Sequence, residues 1–117
     1  MDAAPTAAQI TKAPSVNLDV LYRVYSLHLV DGANADQRFQ NRLLKIAGVV
    51  DGVNRSLPGR VYVELRTRRP EAFVYAAMAH EDEAALDAMK PGQAVMLVCV
   101  GDGMQGGSPM LRSCRLQ

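Results

Sequence analysis

Residues 43–52 read LLKIAGVVDG, and this stretch decides the fold. Leu44, Ile46 and Gly48 occupy every second position, and this is the period of a β-strand. The intervening positions are also partly apolar, which indicates that both faces of the strand are covered along part of its length. Gly48 and Gly52 permit a sharp bend or a bulge inside the strand. A first strand that bends in this way can serve both sides of a small barrel.

The rest of the chain supplies four more strands and a helix between two of them. Alternating apolar residues predict strands over residues 61–66, 73–79, 95–100 and 110–116. Residues 81–90 predict a short helix, with acidic residues in its first turn and Lys90 in its last, as the helix dipole favours. This order is that of the OB-fold, in which a helix closes one end of a five-stranded barrel. The predicted class is mainly β with helices: a five-stranded OB-fold-like barrel with a helix between strands three and four.

The N-terminal region predicts a tail followed by a helix. Residues 1–16 are rich in Ala, Thr and Pro and show no period, so we expect a flexible tail and a single domain over residues 17–117. Asn17 is suited to cap a helix that runs to residue 30. Leu21 and Tyr25 belong to its apolar face. That face is wider than a small barrel requires, so the helix docks either on its own barrel or on a second chain.

Composition and charge narrow the class of protein without naming a ligand. The chain has 117 residues, 49% of them apolar, enough for one packed core. Its net charge of +1 does not by itself indicate nucleic acid. Of its 13 basic residues three are lysines and ten are arginines. Arginine suits bidentate contacts with phosphate or carboxylate, although a GC-rich genome produces the same bias.

The sequence leaves two cellular locations open. No apolar run approaches the roughly 18 residues that span a bilayer. Residues 1–9 also lack the basic and apolar regions of a signal peptide, which favours the cytoplasm. Alternatively, the chain starts just after a removed signal or lipid-anchor segment, because its Ala/Pro/Thr-rich opening resembles the tether that follows such cleavage sites. The second alternative places the protein in a bacterial envelope or periplasm.

Two cysteines lie on strands that we expect to pair as a hairpin, Cys99 on the fourth strand and Cys114 on the fifth. A cross-strand disulfide forms if their Cβ atoms face each other within about 4.5 Å. Such a bond fits an oxidising compartment. The alternative is a pair of small buried thiols in a reduced protein.

No arrangement of residues predicts catalysis, a metal site or a cofactor. His28 and His80 stand beside no recognisable nucleophile motif and are not at metal-ligand spacing. The acidic run Glu81–Glu83 is explained by the dipole of the helix that it begins. We therefore predict that the protein is not an enzyme.

Seven segments in order resemble the tRNA_anti-like family of small bacterial OB-fold proteins, over about residues 18 to 117. They are residues 21–25, 35–39, 44–51 with its glycine, 61–65, 81–86, 90–93 and 111–116. Many members are proposed lipoproteins or secreted proteins. The resemblance implies the OB-fold, while fold alone does not fix function. The sequence departs from the family in the fourth strand, where Cys99 and Gly101 stand in place of a glycine followed by a cysteine.

The outward residues of the second and third strands form a candidate surface for single-stranded nucleic acid. OB-folds bind strands across one barrel face between two loops. Single-strand binding combines cations that track phosphates with aromatic rings that stack on bases. The candidate residues are Arg55, Arg60, Tyr62, Arg66, Arg68, Arg69, Phe73 and Tyr75. Glu64 interrupts this surface, and the alternative is a solvated strand face without a ligand.

Two functional hypotheses follow. The first is a non-enzymatic module that binds single-stranded nucleic acid. The second is an envelope-associated module that contacts a protein partner. Neither hypothesis requires a metal ion or a cofactor.

Overall fold

The structure, a computed structural model, describes residues 13–31, 34–55, 61–105 and 107–117, in which five strands build a barrel and a two-residue strand lies at its edge. Its elements in chain order are β1 (Ser15–Val16), α1 (Leu18–Asp31), α2 (Asn34–Phe39), β2 (Leu43–Asn54), β3 (Tyr62–Arg66), β4 (Phe73–Met78), a 3₁₀ helix (His80–Ala88), β5 (Ala94–Gln105) and β6 (Ser108–Leu116).

The barrel closes because β2 pairs with two different strands. Its first part, residues 43–49, lies antiparallel to β5, and its second part, residues 50–54, lies antiparallel to β3. β3 then pairs with β4, β4 runs parallel to β6, and β6 returns antiparallel to β5. This is the strand order of the OB-fold. The predicted fold class is confirmed, and the short helix lies between β4 and β5 as expected.

The bend in β2 occurs beside the two glycines that the sequence singled out. The pairing changes partner between Val49 and Val50, and the register with β3 shifts between Val50 and Gly52. Gly48 has a further role at this point. A Cβ atom built on Gly48 would lie 2.7 Å from Cδ1 of Leu18, so the missing side chain lets α1 approach the barrel closely.

Helix α1 docks on its own barrel, which decides between the two predicted alternatives. Leu21 and Tyr25 are 1% and 2% exposed and join the core that the barrel encloses. The helix begins where the sequence predicted, since Oδ1 of Asn17 accepts hydrogen bonds from the backbone N–H groups of Asp19 and Val20. Burying each large apolar side chain stabilises the fold by about 1.5–3 kcal/mol. None of the helices in the described part of the chain combines the length and the apolar character that crossing a bilayer requires.

The described part of the predicted tail contributes a strand. Ser15 and Val16 form β1, parallel to Lys45 and Ile46 of β2, and the backbone N–H of Lys45 donates to the carbonyl of Pro14. The folded region therefore begins before residue 17, because the free edge of β2 offers a partner to an extended segment. Residues 1–12 of the predicted tail lie outside the described residues.

Two predicted boundaries were wrong. The fourth predicted strand, residues 95–100, is too short, because a bulge between Gly101 and Met104, with Gly103 at a φ of 77°, lets β5 continue to Gln105. The short helix ends at Ala88, so Lys90 lies beyond its last turn.

The disulfide between Cys99 and Cys114 joins β5 to β6 beside a second bulge. Both residues are fully buried in the core, and their Cα atoms are 4.1 Å apart. The bond therefore fastens the hairpin from inside the barrel.

Hydrogen bonds of the Gly101 backbone hold the segment that leads into β2 against β5. We call these contacts, made by Gly101, Asn41, Arg42 and Arg112, the seam. The carbonyl of Gly101 accepts a hydrogen bond of 2.8 Å from the N–H of Asn41, and its N–H donates to the carbonyl of Arg42. Arg112 reinforces the seam, because its guanidinium donates to the carbonyl of Gly101 and to Oδ1 of Asn41. A Cβ atom on Gly101 would collide with the backbone carbonyl of Phe39. Only glycine fits here.

We predict that Gly101→Ala lowers the free energy of unfolding by about 2 kcal/mol or more, since the added methyl group must displace backbone rather than a side chain. The melting temperature measured by circular dichroism should fall by at least about 8 °C. Gly52→Ala is the control, because its Cβ would meet Glu64 Oε1 at an ordinary 3.8 Å. It should stay within about 1 kcal/mol of the wild type. Equal melting temperatures for the two variants would contradict the role given to the seam.

Candidate nucleic-acid interface

The outward side chains of β3 and β4 form one continuous surface. Inward residues of β3 such as Val63 and Leu65 are fully buried, and the residues between them point to the opposite side. In the register of the two strands Glu64 lies opposite Tyr75 and Arg66 lies opposite Phe73. Directly opposed side chains on one face are close enough to interact. We call this surface, made of Tyr62, Glu64, Arg66, Phe73 and Tyr75, the β3–β4 face.

The aromatic residues of this face have different environments. Phe73 and Tyr75 are half-buried, so part of each side chain reaches solvent. Tyr62, which the sequence placed among the contact residues, is only 5% exposed. Its ring meets the ring of Tyr75 edge to face, with centroids 6.3 Å apart and planes at 80°. Tyr62 therefore supports Tyr75 and has little surface of its own for a base.

Three of the candidate arginines are held by carboxylates. The pairs are Arg66 Nε with Asp51 Oδ1 at 3.0 Å, Arg55 Nη2 with Asp87 Oδ1 at 3.3 Å, and Arg68 Nε with Asp19 Oδ2 at 3.7 Å. All three pairs are partly or largely exposed, and such pairs contribute only about 0–1 kcal/mol. A phosphate group can therefore compete with the carboxylates, but it must displace them.

The predicted arginines do not all lie on the β3–β4 face. Arg66 does, whereas Arg55 at the end of β2 pairs toward the 3₁₀ helix. Arg68 and Arg69 lie in the turn between β3 and β4, where the N–H of Arg68 also donates to Asp19 in the first turn of α1. Arg69 is exposed and forms no ion pair within the described part of the chain. Arg60 lies outside the described residues.

Glu64 occupies the middle of the face, although the sequence analysis treated it only as an interruption. It is half-buried and lies between Tyr75 on β4 and Gly52 on β2. Glu64 makes no ion pair with any residue that the structure describes, in contrast to the carboxylates that hold the arginines. Strand alternation places it between an aromatic residue and an arginine on the outward side, and that signal was available in the sequence.

The electrostatic effect of Glu64 falls on Tyr75. Burial raises the pKa of the Tyr75 phenol, and the negative charge of Glu64 and, to a smaller extent, the phenolate form of Tyr22 raise it further. The phenol therefore stays neutral at any physiological pH, and its ring remains a neutral stacking surface.

The described residues bring together no three His, Cys, Asp or Glu side chains that could hold a metal ion. The face can instead offer one guanidinium, two aromatic side chains and one carboxylate to a ligand. Groups of these kinds can pair with an anion, stack on a flat ring and accept hydrogen bonds.

Comparison with known proteins supports the fold. The model of the tRNA_anti-like family matches residues 2–115. A protein from Klebsiella pneumoniae subsp. pneumoniae MGH 78578, proposed to be a nucleic acid-binding lipoprotein, superposes with a TM-score of 0.72 at 14% identity, over 97% of this chain and 98% of that one. A proposed aspartyl-tRNA synthetase from Leishmania major Friedlin superposes with a TM-score of 0.55 at 12% identity, over 98% of this chain and 22% of that one. At such identities the likeness shows the fold alone. No curated protein matches the sequence significantly.

We predict that Glu64→Gln lowers the pKa of Tyr75, because it removes a negative charge that disfavours the phenolate. The pKa should remain above its usual value of 10.0, since burial is the larger cause. The measurement is a titration of tyrosinate absorbance, with Tyr75→Phe subtracted to isolate this residue. Glu71→Gln, which removes an exposed carboxylate that does not act on Tyr75, should leave the titration unchanged. If Glu64→Gln left the titration of Tyr75 unchanged, the charge of Glu64 would not act on the Tyr75 phenol, and the prediction would fail.

Proposed function

The chain belongs to the tRNA_anti-like family, and on this premise we propose that it is a non-enzymatic OB-fold module that binds single-stranded nucleic acid across the β3–β4 face. The observation that carries the proposal is the register of β3 and β4, in which Arg66 lies opposite Phe73 and Glu64 lies opposite Tyr75 on one outward face of the barrel.

Each part of that arrangement has a counterpart in a single strand. A base stacked on an aromatic side chain contributes about 1–3 kcal/mol, and the interaction tolerates any base because every base has a π-face. The guanidinium of Arg66 suits a phosphate oxygen of the neighbouring nucleotide, with which it forms paired hydrogen bonds. The Klebsiella protein, which shares the fold over nearly its whole length, is itself proposed to bind nucleic acid, and this supports the proposal.

The ion pairs on and around the face limit the strength of this binding. Arg66 must exchange Asp51 for a phosphate, and the net charge of the chain is only +1. Each phosphate neutralised in a single strand contributes about −0.7 to the slope of log K against log salt. With Arg66 on the face and Arg69 in the turn between β3 and β4 as the cations that we count, we expect a shallow slope and modest affinity.

A second candidate function is an envelope-associated module that contacts a protein. The Cys99–Cys114 disulfide favours it, because such bonds persist in oxidising compartments such as the periplasm. The side chains of the β3–β4 face are the same in either compartment, so the location alone does not tell which ligand they bind. The binding experiments below therefore decide between a nucleic-acid ligand and a protein ligand.

We predict that the protein binds a fluorescein-labelled oligothymidylate of about 12 nucleotides at low salt. Fluorescence anisotropy should show affinity falling as salt rises from about 50 to 200 mM. Tyr75→Ala should weaken binding by roughly 5- to 150-fold through loss of stacking. Arg66→Ala should weaken it and reduce the salt slope by about 0.7.

The control is Arg115→Ala. This arginine is also paired with a carboxylate, Asp82, but it contacts the 3₁₀ helix rather than the β3–β4 face. It should bind like the wild type. Absence of binding at low salt, or an equal loss in Arg115→Ala, would refute the proposed function.

We also predict that Asp51→Asn strengthens binding of the same oligonucleotide by up to about fivefold, because Arg66 no longer has to leave a carboxylate. Asp82→Asn changes the net charge equally at the partner of Arg115 and should give a smaller gain. If Asp51→Asn and Asp82→Asn raise the affinity for the oligonucleotide equally, the effect comes from the net charge of the protein, and Arg66 is not a specific phosphate contact.

A further inference from the structure

The β3–β4 face holds a carboxylate in a place where a pure phosphate-binding surface would exclude one. We propose that Glu64 is a base-reading residue that selects guanine at the nucleotide stacked on Tyr75. This inference rests on the proposed function and adds a sequence preference to it.

The position of Glu64 is built into the sheet. Its strand neighbours on the same face are Gly52 on β2 and Tyr75 on β4, directly opposite in each register. Gly52 has no side chain, and a Cβ built there would still lie 3.8 Å from Glu64 Oε1. The carboxylate is therefore flanked by an aromatic side chain on one strand and bare backbone on the other. A flat ring stacked on Tyr75 would therefore have its edge beside the carboxylate, and we call this strip of the face, from Tyr75 across Glu64 to Gly52, the slot.

The charges around the slot make the carboxylate an available acceptor. Arg66, two residues along β3, directs its Nε to Asp51 at 3.0 Å. Within the described residues Glu64 has neither an ion pair nor a side-chain hydrogen bond. It is also half-buried, and a half-buried charge without a partner gains from any ligand that donates hydrogen bonds to it.

The chemistry of the bases then decides which one fits. An ionised carboxylate only accepts hydrogen bonds, through two adjacent oxygens. On the pairing edge of a single-stranded base, only guanine presents two adjacent donors, N1–H and the N2 amino group. Adenine and cytosine place an acceptor nitrogen beside their amino donor, and thymine places its N3–H between two carbonyl oxygens. Single-stranded bases are commonly read on this edge while they stack on an aromatic ring.

The repulsion between Glu64 and the phosphates does not weaken the inference. That repulsion is common to every sequence, so it lowers the absolute affinity for all oligonucleotides alike. The hydrogen bonds to the base differ between sequences, so they appear in the ratio of affinities. A good bidentate contact discriminates between bases by roughly 5- to 150-fold.

The test compares oligothymidylates that are identical except for one central base: guanine, adenine, cytosine or thymine. A single guanine avoids self-association of guanine-rich strands. Wild-type protein should bind the guanine oligonucleotide at least about fivefold more tightly than the other three. In Glu64→Gln this ratio should fall toward one, while affinity for the all-thymine strand should rise because a negative charge has been removed. Glu71→Gln, an exposed carboxylate in the β3–β4 turn, should retain the wild-type ratio.

The outcomes separate this inference from the proposed function. Equal binding of all four strands by the wild type would overturn guanine selection and leave single-strand binding intact. No binding of any strand at low salt would overturn both. A short peptide rich in arginine and serine provides the last arm. If it binds the wild type but not Glu64→Gln, and no oligonucleotide discrimination is seen, the carboxylate receives a cationic side chain of a protein and the inference fails.

Discussion

The whole arrangement depends on a change of hydrogen-bonding partner within β2. The strand bonds to β5 along residues 43–49 and to β3 along residues 50–54. Val50 is the point of exchange, since its N–H donates to the carbonyl of Gln93 and its carbonyl accepts from the N–H of Gly92, while it also faces Leu65 on β3. In a flat sheet a strand could bond to both neighbours, but the sheet would stay open. The pairing of β2 with both β3 and β5 closes it, and the curvature of the closed sheet leaves the outward side chains of β3 and β4 on one face.

That curvature explains why the candidate ligand surface is small and chemically mixed. Val63, Leu65 and Val74 are buried in the core. Only the alternate residues of the short strands β3 and β4 therefore remain for contact with a ligand. The same short strands bring acidic and basic groups within reach of one another. Arg66 therefore meets Asp51, while Glu64 is left beside Tyr75. A surface of this composition contributes little through charge alone, and its selectivity must come from stacking and from directed hydrogen bonds.

The barrel could be predicted from the sequence because its signals, the alternation of apolar residues within each strand and the glycine at position 48, lie within short stretches of the chain. It also predicted the cap at Asn17, which depends only on neighbouring residues. Alternation placed Tyr62 on the outward side of the sheet, but it could not show that this residue is only 5% exposed, because alternation does not tell what covers that side. The seam at Gly101 was missed because it needs the backbone of Phe39, which is distant in sequence. The ion pair between Asp51 and Arg66, 15 positions apart, likewise requires the register of two strands.

The most direct test of the account is a titration of ¹⁵N-labelled protein with the oligothymidylate, followed by the amide and side-chain resonances of every assigned residue. We predict that the largest shifts fall on Glu64, Arg66, Phe73 and Tyr75, with the Nε–H of Arg66 moving as it leaves Asp51. Resonances of β5 such as that of the exposed Met96 should stay in place. Shifts concentrated around Met96, with the β3–β4 face unmoved, would contradict the account.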